Sequence, residues 1–160
     1  MKRNNTTNEQ NINSLVFEYE AMSQKGTVGF YEKTVFLQLI DHYLNEQLLD
    51  NALEVIEHAV NQHPFSGAFH IVQAQLYLEK NCESLALEAL DKAILYAPSV
   101  FEVQILRAEA LSSLGVFNEA FEILDDLLTN ASPDQQSEIN LSKALIFETT
   151  KQYKNMFILH

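Results

Sequence analysis

Phe36-Leu37-Gln38-Leu39-Ile40-Asp41-His42-Tyr43-Leu44, a polar break at Asn45-Glu46-Gln47, and Leu48-Leu49-Asp50-Asn51-Ala52-Leu53-Glu54-Val55-Ile56-Glu57-His58-Ala59-Val60 form the stretch that decides the fold. Phe36, Leu39, Ile40 and Tyr43 recur at helical spacing, and after the break Leu49, Ala52, Leu53, Ile56 and Val60 do so again. That pattern predicts an amphipathic helical hairpin. Ala52 and Ala59 are small enough for two helices to approach closely, while Tyr43 and Ile56 fill the space around them. Burying each large side chain is worth about 1.5–3 kcal/mol, yet one hairpin cannot cover its own apolar face. The missing cover must come from neighbouring hairpins.

The sequence supplies such neighbours at a period of 34 residues. Tyr43, Tyr77 and Leu111 keep that spacing, as do Ala52, Ala86 and Ala120, and Ile56, Leu90 and Leu124. Ala59, Ala93 and Leu127 follow it too. Pro64 and Pro98 share the step, and Pro133 arrives one residue late behind Ser132. A step of 36 residues then matches Ala108 with Ala144, Leu111 with Phe147 and Phe117 with Tyr153, so a fourth unit is expected after a two-residue insertion.

These units resemble the tetratricopeptide repeat family, whose 34-residue helix-turn-helix carries a large–x2–Leu–small–x2–Tyr, Ala–x3–Phe, Pro pattern. In the first unit Phe36, Leu39, Tyr43, Ala52, Ile56, Ala59 and Pro64 fit, with Ile40 where a small residue is usual. The second keeps Ala74, Tyr77, Ala86, Leu90, Ala93 and Pro98 but places His70 and Gln73 at the first two positions. The third keeps Ala108, Leu111, Gly115, Ala120 and Leu124, with Gln104 and Arg107 at those places. The resemblance implies an all-α fold, a right-handed superhelical stack of antiparallel helix pairs. It covers 33–160, as repeats at about 33–66, 67–100 and 101–134 and a partial fourth over 137–160.

Helix-start signals agree with these boundaries. Ser99-x-x-Glu102 and Ser132-x-x-Gln135 read as capping boxes, with Pro133 at a first helical position. Upstream, a capping helix and turn are expected over 13–32, because Leu15, Tyr19 and Met22 share one face of Ser14–Gln24 and Gly26 offers a stop. Residues 1–12 are polar and rich in Asn and Thr, which predicts a mobile tail. At the other end, Tyr153 to His160 is expected to open a second helix and leave Met156, Phe157, Ile158 and Leu159 uncovered.

Composition narrows the function classes. Only 4 Gly and 3 Pro in 160 residues favour long helices over the tight turns of an all-β fold. Twenty-two acidic against 10 basic residues give a formal charge of −12, which repels phosphate backbones and anionic lipid, so neither nucleic acid nor membrane is expected as a partner. No run of about 18 apolar residues suggests a membrane span. The polar stretch Met1–Asn13 does not read as an export signal. A lone cysteine, Cys82, rules out an internal disulfide, and with the missing span it points to the cytosol.

No catalytic or metal constellation emerges, and no cofactor is expected. His42, His58, His63, His70 and His160 fall at ordinary repeat positions, and His58 and His63 stand five apart, on different helical faces. Asp41-His42 implies no nucleophile, and Asp125-Asp126 reads as a wet outer face. Gly26 and Gly29 fit neither a Walker loop nor a dinucleotide fingerprint. Arg107 stands at a usually apolar place, which predicts an ion pair with a carboxylate between helices. A non-enzymatic role is therefore expected.

The family resemblance implies a concave groove lined by the first helix of each unit. On this chain the groove would comprise Thr34, Leu37, Asp41 and Leu44, then Ala68, Ile71, Gln75, Leu78 and Glu79, then Glu102, Ile105, Glu109 and Ser112. Members that bind a C-terminal carboxylate do so with convergent basic side chains, and here the matching places hold Leu37, Asp41, Val72, Glu102 and Leu106. That carboxylate clamp is lacking. A mixed apolar and acidic groove suits a protein partner, a peptide or helix with apolar anchors and some positive charge. The competing reading of those apolar residues is internal packing against neighbouring helices. A further alternative is a scaffold or homo-oligomerisation role through the C-terminal end, at Tyr153, Met156, Phe157 and Leu159.

Overall fold

A computed structural model describes residues 2–97 and 99–158, and the side chains of residues 8–97 and 99–157. Pro98, Leu159 and His160 lie outside the described residues. Every described element is a helix: α1 (Lys2–Gln24), α2 (Lys33–Asn45), α3 (Leu49–Gln62), α4 (Gly67–Glu79), α5 (Glu83–Tyr96), α6 (Val100–Ser113), α7 (Phe117–Leu128) and α8 (Pro133–Ile158). Each packs on the next in chain order, and α6 also touches α4 and α8.

The 34-residue period appears in the backbone as well as in the side chains. Gln47, Asn81 and Gly115 are spaced by 34 and all adopt positive φ, at 59°, 58° and 81°. At each, the next residue's amide reaches back to a carbonyl in the last helical turn: Leu48 to Tyr43 at 2.8 Å, Cys82 to Tyr77 at 2.8 Å and Val116 to Leu111 at 2.9 Å. A second bond, from Gln47 to Leu44, Asn81 to Leu78 and Gly115 to Ser112, completes the same Schellman closure three times. Gly26 closes α1 in the same way, with its amide on Ser23 and that of Thr27 on Met22.

Between these turns the repeated small and large residues are fully buried. Ala52, Ala86 and Ala120 are 0% exposed, and so are Ile56, Leu90 and Leu124. Three apolar clusters follow one another along the chain, the first built around Tyr19, Phe36, Tyr43 and Ile56. α1 joins that first cluster through Tyr19, which lies edge-on to Tyr43 at 6.4 Å, while the Tyr43 hydroxyl donates to Glu20 at 2.9 Å. Arg107 pairs with Asp91 across α6 and α5, as the sequence predicts.

Several expectations need correcting. The helix upstream of the repeats begins at Lys2 rather than Ser14: no Gly or Pro interrupts 2–25, and the packed half around Tyr19 supplies a nucleus from which the helix extends. Ser99 occupies the N-cap of α6 without a side-chain capping bond, and the Glu102 carboxylate accepts from the Gln75 amide at 3.4 Å. The box at α8 does form, with the Ser132 amide donating to Gln135 at 3.0 Å and the Gln135 amide donating to Ser132 at 3.3 Å.

The fourth unit does not turn. α8 runs unbroken from Pro133 to Ile158, so Tyr153 does not open a second helix. Gly, Asn and Pro are missing from 141–154, so no residue suited to positive φ stands where Gly115 ends α6. Staying on the helix, Tyr153 lands edge-on against Phe117 at 5.7 Å, the residue it was matched with by sequence.

The weak first-helix positions show their cost. His70 and Gln104 stand 34 and 68 residues after Phe36, and each leaves a buried polar atom without a partner, the His70 Nδ1 and the Gln104 Oε1. Replacing Gln104 by Leu removes an unsatisfied acceptor while nearly conserving volume. It is expected to raise stability by about 1 kcal/mol, read as a higher urea midpoint at unchanged slope. A lower midpoint would show that Gln104 has a partner in solution.

Candidate peptide-binding cleft

One face of α2, α4 and α6 encloses an open cleft of about 550 Å³. Leu37, Ile40, Asp41 and Leu44 line it from α2, Val72, Gln75, Leu76, Leu78 and Glu79 from α4, and Leu106 and Glu109 from α6. Its apolar members fall at i, i+3 and i+7 on α2, and Val72 and Leu76 at i and i+4 on α4, so the helical period gathers these on one side, with Leu78 at the flank of α4.

Seven of the residues placed in a groove by sequence meet here: Leu37, Asp41, Leu44, Gln75, Leu78, Glu79 and Glu109. Thr34, Ala68 and Glu102 are exposed but sit toward the N-terminal ends of their helices, outside the lining. Ile71 and Ser112 are buried, at 7% and 6% exposure, and half-buried Ile105 packs on the cluster formed with α7 and α8. Ile71 belongs to the core, where it shares a cluster with Val103 and Leu106 across the α4–α6 contact.

The repeat pattern alone does not place Ile40 and Leu76 in the lining, and it gives Val72 and Leu106 only as places of the lacking clamp. The signal was available in their spacing: Ile40 follows Leu37 by three residues and Leu76 follows Val72 by four. All four are at least partly buried, so they form the floor of the cleft, whereas Leu37, at 42% exposure, stands on its rim.

The electrostatics are one-sided. Asp41, Glu79 and Glu109 line the cleft and Glu102 stands beside it through Gln75, whereas no Lys or Arg among the described residues does. The described Lys and Arg ion pairs lie elsewhere, joining Lys80 to Asp50, Arg107 to Asp91 and Lys143 to Asp125. Burial against the apolar floor pushes the Glu109 carboxyl above its ordinary pKa. Among the described residues no group of three or more His, Cys, Asp or Glu could hold a metal ion, and no helix is long and apolar enough to cross a membrane. The described histidines have structural neighbours: His63 Nε2 meets the Tyr31 carbonyl at 2.7 Å and His70 Nε2 the Pro64 carbonyl at 2.8 Å.

A second exposed region lies on α8. Tyr153, Met156 and Phe157 are 42%, 58% and 67% exposed, and the Tyr153 ring stacks obliquely on Phe157 at 5.1 Å. Leu141, Leu145 and Phe147 add to it at 61–66%. Leu159 lies outside the described residues.

No protein-family model matches the chain, and no curated protein is significantly similar to it. The chain is therefore characterised by its own geometry: a repeat-like helical protein with an acidic, apolar-floored cleft.

Proposed function

We propose that this chain is a tetratricopeptide-like interaction module whose helix pairs α2–α3, α4–α5 and α6–α7, with α8 opening a fourth unit, stack to present a groove for a segment of another protein. The repeat of αL turns at Gln47, Asn81 and Gly115 supports the stacked-pair reading. The binding reading is carried by the cleft, where an apolar floor is overlooked by carboxylates that have no basic partner among the described residues. Such a surface favours a ligand with apolar anchors and positive charge, since opposite charge steers approach and apolar burial supplies affinity. The role is one of holding rather than of chemistry. A free Cys82 thiol suits a reducing cytosol.

Leu37→Asp combined with Glu109→Lys tests this reading at an exposed rim residue and an exposed acid, leaving the core intact. Affinity for captured partners is expected to fall about thirtyfold with the double variant, given the ~1 kcal/mol lost at each of the two altered contacts. Recovery of the same proteins at wild-type levels by a variant of unchanged circular dichroism would end the proposal.

A second reading rests on the exposed Tyr153, Met156 and Phe157 near the end of α8, which would serve a scaffold that self-associates. Light scattering across a concentration series tests it. Mass rising with concentration, and returning to that of a monomer on removal of 153–160, is the expected result for self-association.

A further inference from the structure

The occupant of the cleft can be specified beyond a generic peptide, on the assumption that the cleft is the binding site proposed above. We infer that it takes a basic amphipathic helix, with apolar residues against the Leu37 rim and the Leu44, Val72, Leu78 and Leu106 side chains below it, and Lys or Arg side chains over Asp41, Glu79 and Glu109.

Backbone chemistry separates a helix from an extended chain. An extended segment brings one N–H and one C=O per residue that need partners. The cleft is walled by residues within three helices, whose own amides are bonded to carbonyls one turn back, and it has no strand edge to offer. Gln75 is the single side-chain donor in the lining, and its amide already reaches Glu102 at 3.4 Å. The carbonyls of an extended ligand would therefore meet apolar carbons and carboxylate oxygens. A helix satisfies its backbone internally and presents only side chains, which is what leucine and carboxylate walls can recognise.

Charge settles the other half. With three carboxylates in the lining and no base, an acidic or neutral helix would leave Glu109 desolvated and unpaired, while a Lys or Arg gives it a partner.

The test uses three synthetic 14-residue peptides with blocked ends, titrated into the full chain. One is a Leu/Lys sequence of helical periodicity, the second carries two prolines at its central lysine positions, and the third has glutamate in place of lysine. Methyl shifts of Leu37, Leu44, Leu78 and Leu106 report where each binds, and circular dichroism reports peptide helicity. The Leu/Lys peptide is expected to shift those methyls and gain helicity. The proline peptide should bind at least tenfold more weakly, and the glutamate peptide should leave the methyls unmoved.

Glu109→Gln should weaken the Leu/Lys peptide several-fold without lowering the melting temperature, since Glu109 is exposed and the substitution leaves the core untouched. Binding of the proline peptide within twofold of its parent, at the same methyls, would overturn the helical occupant while leaving the cleft as a binding site. Equal binding of the glutamate peptide, or no loss in Glu109→Gln, would overturn the basic requirement. Failure of all three peptides to move the cleft methyls would count against both this inference and the binding reading beneath it.

Discussion

Phe36→Ala is expected to lower the free energy of unfolding by about 3–5 kcal/mol, the largest loss foreseen for any truncation in the chain. Phe36 is 0% exposed, and its ring meets three others edge-on: Tyr31 at 5.6 Å, His63 at 6.0 Å and Phe69 at 6.2 Å. Those rings belong to the segment before α2, the end of α3 and the start of α4, so one side chain ties together pieces adjacent in space but distant in sequence. Removal leaves a cavity whose walls sit on different helices and cannot easily collapse. Urea denaturation followed by circular dichroism measures the loss. A midpoint within about 0.5 kcal/mol of wild type would mean that the rings repack, and that the first cluster is softer than its complete burial implies. Because the equivalent places further on are His70 and Gln104, no single truncation there should match it.

That gradient explains how far the sequence could be read. Period and hairpin were legible because Ala52, Ile56 and their 34-residue counterparts all perform one task, filling the contact between helices, and packing demands the same size each time. Groove positions obey no such demand. Leu37, Ile71 and Ile105 hold one repeat position, yet Leu37 is 42% exposed, Ile71 is 7% exposed and Ile105 is half-buried. What differs is the neighbour: α6 closes over Ile71, whereas Leu37 stands on an open rim. Periodicity assigns a face but not what covers it. The turns were hidden for another reason, since Gln47 adopts positive φ although nothing in its chemistry favours it. Its conformation is imposed by the closing bonds to α2. At α8 the local chemistry prevails, because 141–154 has strong helix formers and no residue that would favour a turn.

Gly67→Ala adds a single methyl and is expected to cost about 2–4 kcal/mol, as much as removing a large apolar side chain. Gly67 opens α4 and is buried, lying against the end of α5. A Cβ there would stand 2.5 Å from the Ala97 Cα and from the Tyr96 carbonyl carbon, closer than non-bonded carbons approach. The obstructing atoms are backbone, so no rotamer change relieves the clash, and α4 and α5 must separate instead. Because α4 supplies Val72, Gln75, Leu78 and Glu79 to the cleft, a folded Gly67→Ala protein should also show shifted cleft methyls. Gly26→Ala is the informative control. No atom lies within 4 Å of its Cβ position, but φ is +75°, so the penalty is the αL conformation alone, about 1 kcal/mol. Thermal or urea unfolding of the pair separates close approach from backbone conformation. Equal losses at both sites would show that α4 does not press on α5 as described, and a near-neutral Gly67→Ala would place the two helices farther apart in solution.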